Sequence, residues 1–141
     1  MAGLGYSEEV IIELDALWTT HEAEAALIDA LLEQLDADDD MLGRLSDETP
    51  LWHFNYVPSF EIKRFAACWD IGRRVYILKP YQPDGELSNF RVLMGHDIET
   101  DEYFVLSAAP RSISYDTTSQ NFRNVCDRYD RLNIPSIRPS R

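Results

Sequence analysis

Fourteen acidic residues and a single base, Arg44, occupy the first 48 positions, and the apolar residues among them recur with helical spacing. Val10, Ile11, Leu14, Leu17 and Trp18 stand three or four apart between Glu8, Glu9, Glu13 and Asp15. This predicts an amphipathic helix from Ser7 to about Thr19 with Ser7 as its N-cap. Leu27, Ile28, Leu31, Leu32 and Leu35 make a continuous stripe, so a second helix is expected from about Thr20 to Leu35. Asp36 to Asp40 breaks the pattern, and Asp40 is placed to cap a short helical turn through Met41, Leu42 and Leu45. A stripe this wide is not stable in water. The acidic hairpin must lie on another layer, with its acids turned to solvent.

The rest of the chain supplies that layer. Arg74 to Tyr81, Asn89 to Gly95 and Glu102 to Ala109 are β-rich runs. The first two are separated by the Pro80-Tyr-Gln-Pro83-Asp84-Gly85 turn and the last two by Asp97 to Asp101. Such short connections predict an antiparallel meander. Ile62, Phe65, Ala66 and Trp69 keep helical spacing up to Gly72, which reads as a short helix or an irregular segment. Phe122, Val125, Cys126 and Tyr129 predict a C-terminal helix over about 119–131, and the tail from Ser136 is expected to be disordered. The fold class expected is α+β: an N-terminal helical hairpin packed on a small antiparallel sheet, with a C-terminal helix, in one domain over 1–141.

Charge narrows the function. Residues 49–141 hold eleven acids and twelve bases, so the net charge of −12 belongs to the hairpin. A uniformly basic nucleic-acid wrapper is excluded, whereas a local cationic site is not. Cys68 and Cys126 have neither disulfide-scaffold nor zinc spacing, and His21, His53 and His96 fall in no metal motif. Asp38-Asp39-Asp40 lacks the glycine and glutamate of a calcium loop. No cofactor or metal is expected. The start of the chain carries neither a basic n-region nor an apolar h-region, and the expected compartment is the cytoplasm. Trp52, Phe54 and Tyr56 alternate between Pro50 and Pro58 and read either as a packed loop or as stacking platforms for bases.

A helical hairpin followed by a meander, with Asn89-Phe-Arg91-Val-Leu-Met-Gly-His-Asp97, then Tyr103-Phe-Val-Leu-Ser-Ala-Ala-Pro-Arg111 and Tyr115-Asp116, resembles the RelE/ParE family of type II toxins. The family's first strand, ahead of the helices, has no counterpart in this reading. The resemblance implies a toxin neutralised by a cognate antitoxin. In RelE-like form it cleaves ribosome-bound mRNA. In ParE-like form it inhibits gyrase without chemistry, and an acidic hairpin that mimics nucleic acid is a related non-catalytic reading. By motif position the resemblance places Lys79, Arg91, Arg111 and Tyr115 at the functional site. Metal-free RNA cleavage needs the 2′-hydroxyl to attack the adjacent phosphorus, with cations on the phosphorane and groups to move protons. Arg91 and Arg111 suit the first role, because the guanidinium fork matches phosphate oxygens. Tyr115, with a reference pKa of about 10, moves a proton only if nearby cations lower it, and Lys79 is the other candidate. Strand alternation sets Arg91 opposite Phe90 and Val92, which predicts that it points away from the core. His96, beside Asp97, is a further acid/base candidate.

Overall fold

A computed structural model describes residues 2–47 and 60–137. Ahead of the hairpin lies a strand that the sequence pattern does not reveal, β1 (Gly3–Tyr6). Two of its four residues are glycine, so it offers no alternation to read. A Cβ at Gly5 would sit 2.9 Å from the Phe104 ring, and only glycine allows that approach.

Ser7 caps α1 (Glu8–Thr20) as expected, its hydroxyl accepting the Val10 N–H at 3.3 Å. Helix α2 (Glu22–Ala37) buries Ala25, Ile28, Leu31, Leu32 and Leu35. The cap of α3 (Asp39–Arg44) is Asp38, not Asp40: its backbone is extended and its carboxylate accepts the Met41 N–H at 3.0 Å. A 3₁₀ turn at Leu45–Asp47 follows. The aromatic run from Trp52 to Tyr56, with His53, lies outside the described residues.

The chain resumes as β2 (Phe60–Arg64), where helical spacing had been read. Ile62 belongs to this strand, and only Ala66–Trp69 forms a helix, α4. The apparent period came from joining the two. Gly72 then takes φ 82°, the left-handed conformation that ends the segment. The meander is present as β3 (Val75–Pro80), β4 (Phe90–Asp97) and β5 (Glu102–Pro110). After it come α5 (Arg111–Ser114) and α6 (Gln120–Arg131), the latter capped by Ser119 through the Phe122 N–H at 3.1 Å.

The five strands run in the order β1-β5-β4-β3-β2. Neighbours from β5 to β2 are antiparallel, but β1 joins β5 in parallel, so the sheet is mixed rather than purely antiparallel. Two cores flank it. On one face Tyr76, Leu78, Val92, Met94 and Val105 meet Val10 and the α2 stripe; on the other Val75, Ile77, Leu93 and Leu106 meet Val125 and Tyr129 of α6. A Cβ at Gly95 would lie 2.9 Å from Ile134 Cδ1 and 3.1 Å from the Tyr129 ring, which is how closely the C-terminal segment seats.

Two expectations about the hairpin are corrected. Ile11 and Trp18 do not join the core, and with Ile12 they remain exposed on α1. Nor do all its acids face solvent. Arg128 of α6, itself buried, donates to both carboxylate oxygens of Glu13 at 2.8 Å and to the Leu106 carbonyl at 2.8 Å. Arg131 reaches Glu9 at 2.6 Å. These bonds tie the first helix to the last across the sheet edge. No helix among the described residues is long and apolar enough to cross a membrane.

Candidate functional site

Register and pleat decide which cations meet. Leu78 pairs with Val92 and Ile77 with Leu93, so one rung further Lys79 and Arg91 are neighbours on the α6 face of the sheet. From β2, Lys63 pairs with Ile77 and Glu61 with Lys79 on that same face. Helix α6 covers only part of it. The rings of Phe65 and Phe122 meet edge to face at 5.9 Å and those of Phe65 and Tyr115 at 6.0 Å, closing the apolar region. Tyr115 forms the border with the cations: Lys63 Nζ stands 5.2 Å from the centroid of its ring.

Arg91 is on the predicted face but is not turned to solvent; it is only 4% exposed. Its guanidinium donates through Nη1 to the carbonyls of Ser88 at 2.6 Å and Phe90 at 2.9 Å. Its Nε is buried without a hydrogen-bond partner. Among the described residues no carboxylate forms an ion pair with it. A buried positive charge with no carboxylate partner is costly, and charges of this kind cluster at functional sites.

Tyr115 reports that charge. Partial burial raises a phenol's pKa, but contact with the Arg91 guanidinium and the charges of Lys63, Lys79 and Arg91 outweigh it and hold Tyr115 below its ordinary value. Arg111 does not end β5; it opens α5, its backbone N–H bound to the Asn89 carbonyl at 2.6 Å. The exposed Arg111 side chain lines, with Asn89, Ser112 and Tyr115, an open depression of about 490 Å³. The two arginines therefore do not share one concavity. Arg111 is in its wall, Arg91 is buried, and Tyr115 touches both environments.

No family model, curated protein or solved structure matches the chain.

Lys63 is the member that sequence reasoning missed, because its segment was read with helical spacing. The inward Phe60 and Ile62 alternating with outward Glu61 and Lys63 carry the strand signal. Glu61 on the same row accepts the Tyr81 hydroxyl at 2.7 Å.

His96 lies on the hairpin face of the sheet, against Tyr76 and Tyr103, away from the cationic cluster. Its Nδ1 accepts from Arg74 Nε at 3.0 Å, its Nε2 lies 3.0 Å from Asp101, and it stacks on Tyr103 with ring centroids 4.2 Å apart. A second ring proton would point at the Arg74 guanidinium. Burial and that guanidinium lower the His96 pKa, with Asp101 opposing them. Neutral His96 therefore contributes stability that is fully present above the unfolded-state pKa of about 6.5 and is lost as pH falls through the lower folded value. Urea unfolding between about pH 7.5 and 5 is expected to show this loss, and His96→Phe, which keeps the stack, is expected to flatten it. An equal slope in the variant would place the effect elsewhere.

Proposed function

We propose that the cationic end of the sheet binds an RNA backbone and cleaves it without metal, and that the chain is a RelE-like toxin of the RelE/ParE family with a protein antitoxin. The observation that carries this reading is the convergence of Lys63, Lys79 and buried Arg91 on Tyr115, which lowers its pKa within a chain of net charge −12. A surface evolved for solubility alone does not concentrate cations around one phenol. The element order adds support, since β1 precedes the helices at the place where the family resemblance lacked a strand.

In the proposed reaction Tyr115, as phenolate, takes the 2′-hydroxyl proton while that oxygen attacks the adjacent phosphorus. The bond to the 5′-oxygen breaks, Lys79 as ammonium supplies the proton to that leaving oxygen, and a 2′,3′-cyclic phosphate remains. Arg111 holds a phosphate from the depression wall. Arg91 supplies fixed positive charge that needs no rearrangement during the step. Lys63, over the Tyr115 ring, favours the phenolate.

Induction in a bacterial host tests the reading. Growth arrest with new mRNA 5′ ends, lost in Tyr115→Phe, supports it. Arrest with intact mRNA and a DNA-damage response supports the ParE-like alternative instead, and the absence of arrest defeats both. Titration gives a finer test. Replacing Lys63 by methionine removes one of these cations and leaves the proposed proton donor in place, so the Tyr115 phenol is expected to titrate at higher pH, read as tyrosinate absorbance against Tyr115→Phe. The alkaline rise in cleavage rate should move up with it. A rise that stays in place would remove Tyr115 from proton transfer.

A further inference from the structure

The outer side of α1 carries an apolar row, Ile11 and Trp18, and a separate apolar residue, Ile12, with exposures of 50%, 45% and 71% respectively. The helix is unable to roll and bury them. Its inner side is fixed by Val10 in the core, with Leu14 and Leu17 packed against it, and by Glu13 and Glu9 in the grip of Arg128 and Arg131. Glu8 lies one turn before Ile11 and Ile12, and Asp15 lies one turn after them and one turn before Trp18. Both carboxylates are exposed, and neither α1 nor α2 contains a lysine or arginine.

We propose that this face docks a cationic amphipathic helix of a partner protein, its apolar stripe on the Ile11–Trp18 row and its adjoining Lys or Arg side chains on Glu8 and Asp15, which lie between that row and Ile12. Charge selects the occupant. A second copy packed antiparallel about Ile11 and Ile12 would set Glu8 of each copy against Asp15 of the other in a chain of net charge −12. Anionic lipid and nucleic acid are repelled for the same reason. A cationic helix gains apolar burial and complementary charge together. Because α1 lies on the hairpin side of the sheet, away from Lys63, Lys79 and Arg91, the docking holds whether or not the cationic site cuts RNA.

The test is calorimetric titration of the full chain with a synthetic leucine–lysine peptide of about 18 residues, five helical turns. A peptide of the same composition, scrambled so that the leucines share no face, is the control. The amphipathic peptide is expected to bind at least about tenfold tighter than the scramble, and the Ile11→Ser, Ile12→Ser, Trp18→Ser triple variant to lose that margin. These are surface positions, and an unchanged unfolding midpoint certifies the variant's fold. Glu8→Gln with Asp15→Asn is expected to weaken binding and flatten its salt dependence. Equal binding of the two peptides, or a preference that survives the triple substitution, overturns the proposal. So does concentration-dependent dimerisation of the wild-type chain that Ile12→Ser abolishes, which would assign the face to a second copy.

Discussion

Arg91→Ala is expected to lower the rate of RNA cleavage by about 10²- to 10³-fold, the scale on which loss of one preorganised charge-stabilising group acts. Two effects combine. The positive field at the scissile phosphate falls, and Tyr115 loses the contact that does most to hold its pKa down. Arg91→Lys is expected to recover little of the rate, because an ammonium on a flexible stem does not reproduce a guanidinium fixed on the Ser88 and Phe90 carbonyls. The two contributions separate by titration: in Arg91→Ala the Tyr115 phenol should ionise at higher pH, and raising the pH should restore only the part of the rate due to that shift. The substitution leaves two buried carbonyls without their donor, so unfolding must be measured beside activity. A variant that folds, cuts RNA at the wild-type rate and titrates unchanged would remove Arg91 from the site and with it the main support for the nuclease reading.

Where one period ran unbroken, the sequence was legible. The α2 stripe, the Ser7 cap, the C-terminal helix and the three meander strands all lie where their residues predict, because each is set by local chemistry and one buried face. Strand β1 was not legible, since Gly3 and Gly5 carry no side chain to alternate and its partner β5 lies about a hundred residues away. Strand β2 was masked by its neighbour α4, whose first residues extended Ile62 into a false helical series. Lys63 was lost with it. Arg91 illustrates a different limit: alternation gave its face correctly, but whether that face is wet depends on Tyr115 and the C-terminal elements folding over it. Arg128 is similar, because an arginine in an acidic chain reads as a surface residue until the fold brings Glu13 from the other end.

That pairing governs the largest stability effect expected. Glu13→Ala should cost about 2–3 kcal/mol in urea unfolding, because buried Arg128 would keep only the Leu106 carbonyl and the more distant Glu9 at 3.8 Å. Arg128→Ala should cost less in unpaired charge, because the Glu13 side chain is 34% exposed and water can reach it, although it also removes packing from the buried stem. Arg128→Met with Glu13→Leu replaces the pair by apolar groups of similar volume and should regain most of the loss. The consequence reaches the site through α6. Phe122 of α6 meets Phe65, and Phe65 meets Tyr115, so loosening α6 should let water to the phenol and shift its titration even though no cation near it has changed. If Glu13→Ala unfolds within about 0.5 kcal/mol of wild type, the clamp is a surface ion pair of ordinary weight, and α6 must be held by its apolar contacts alone.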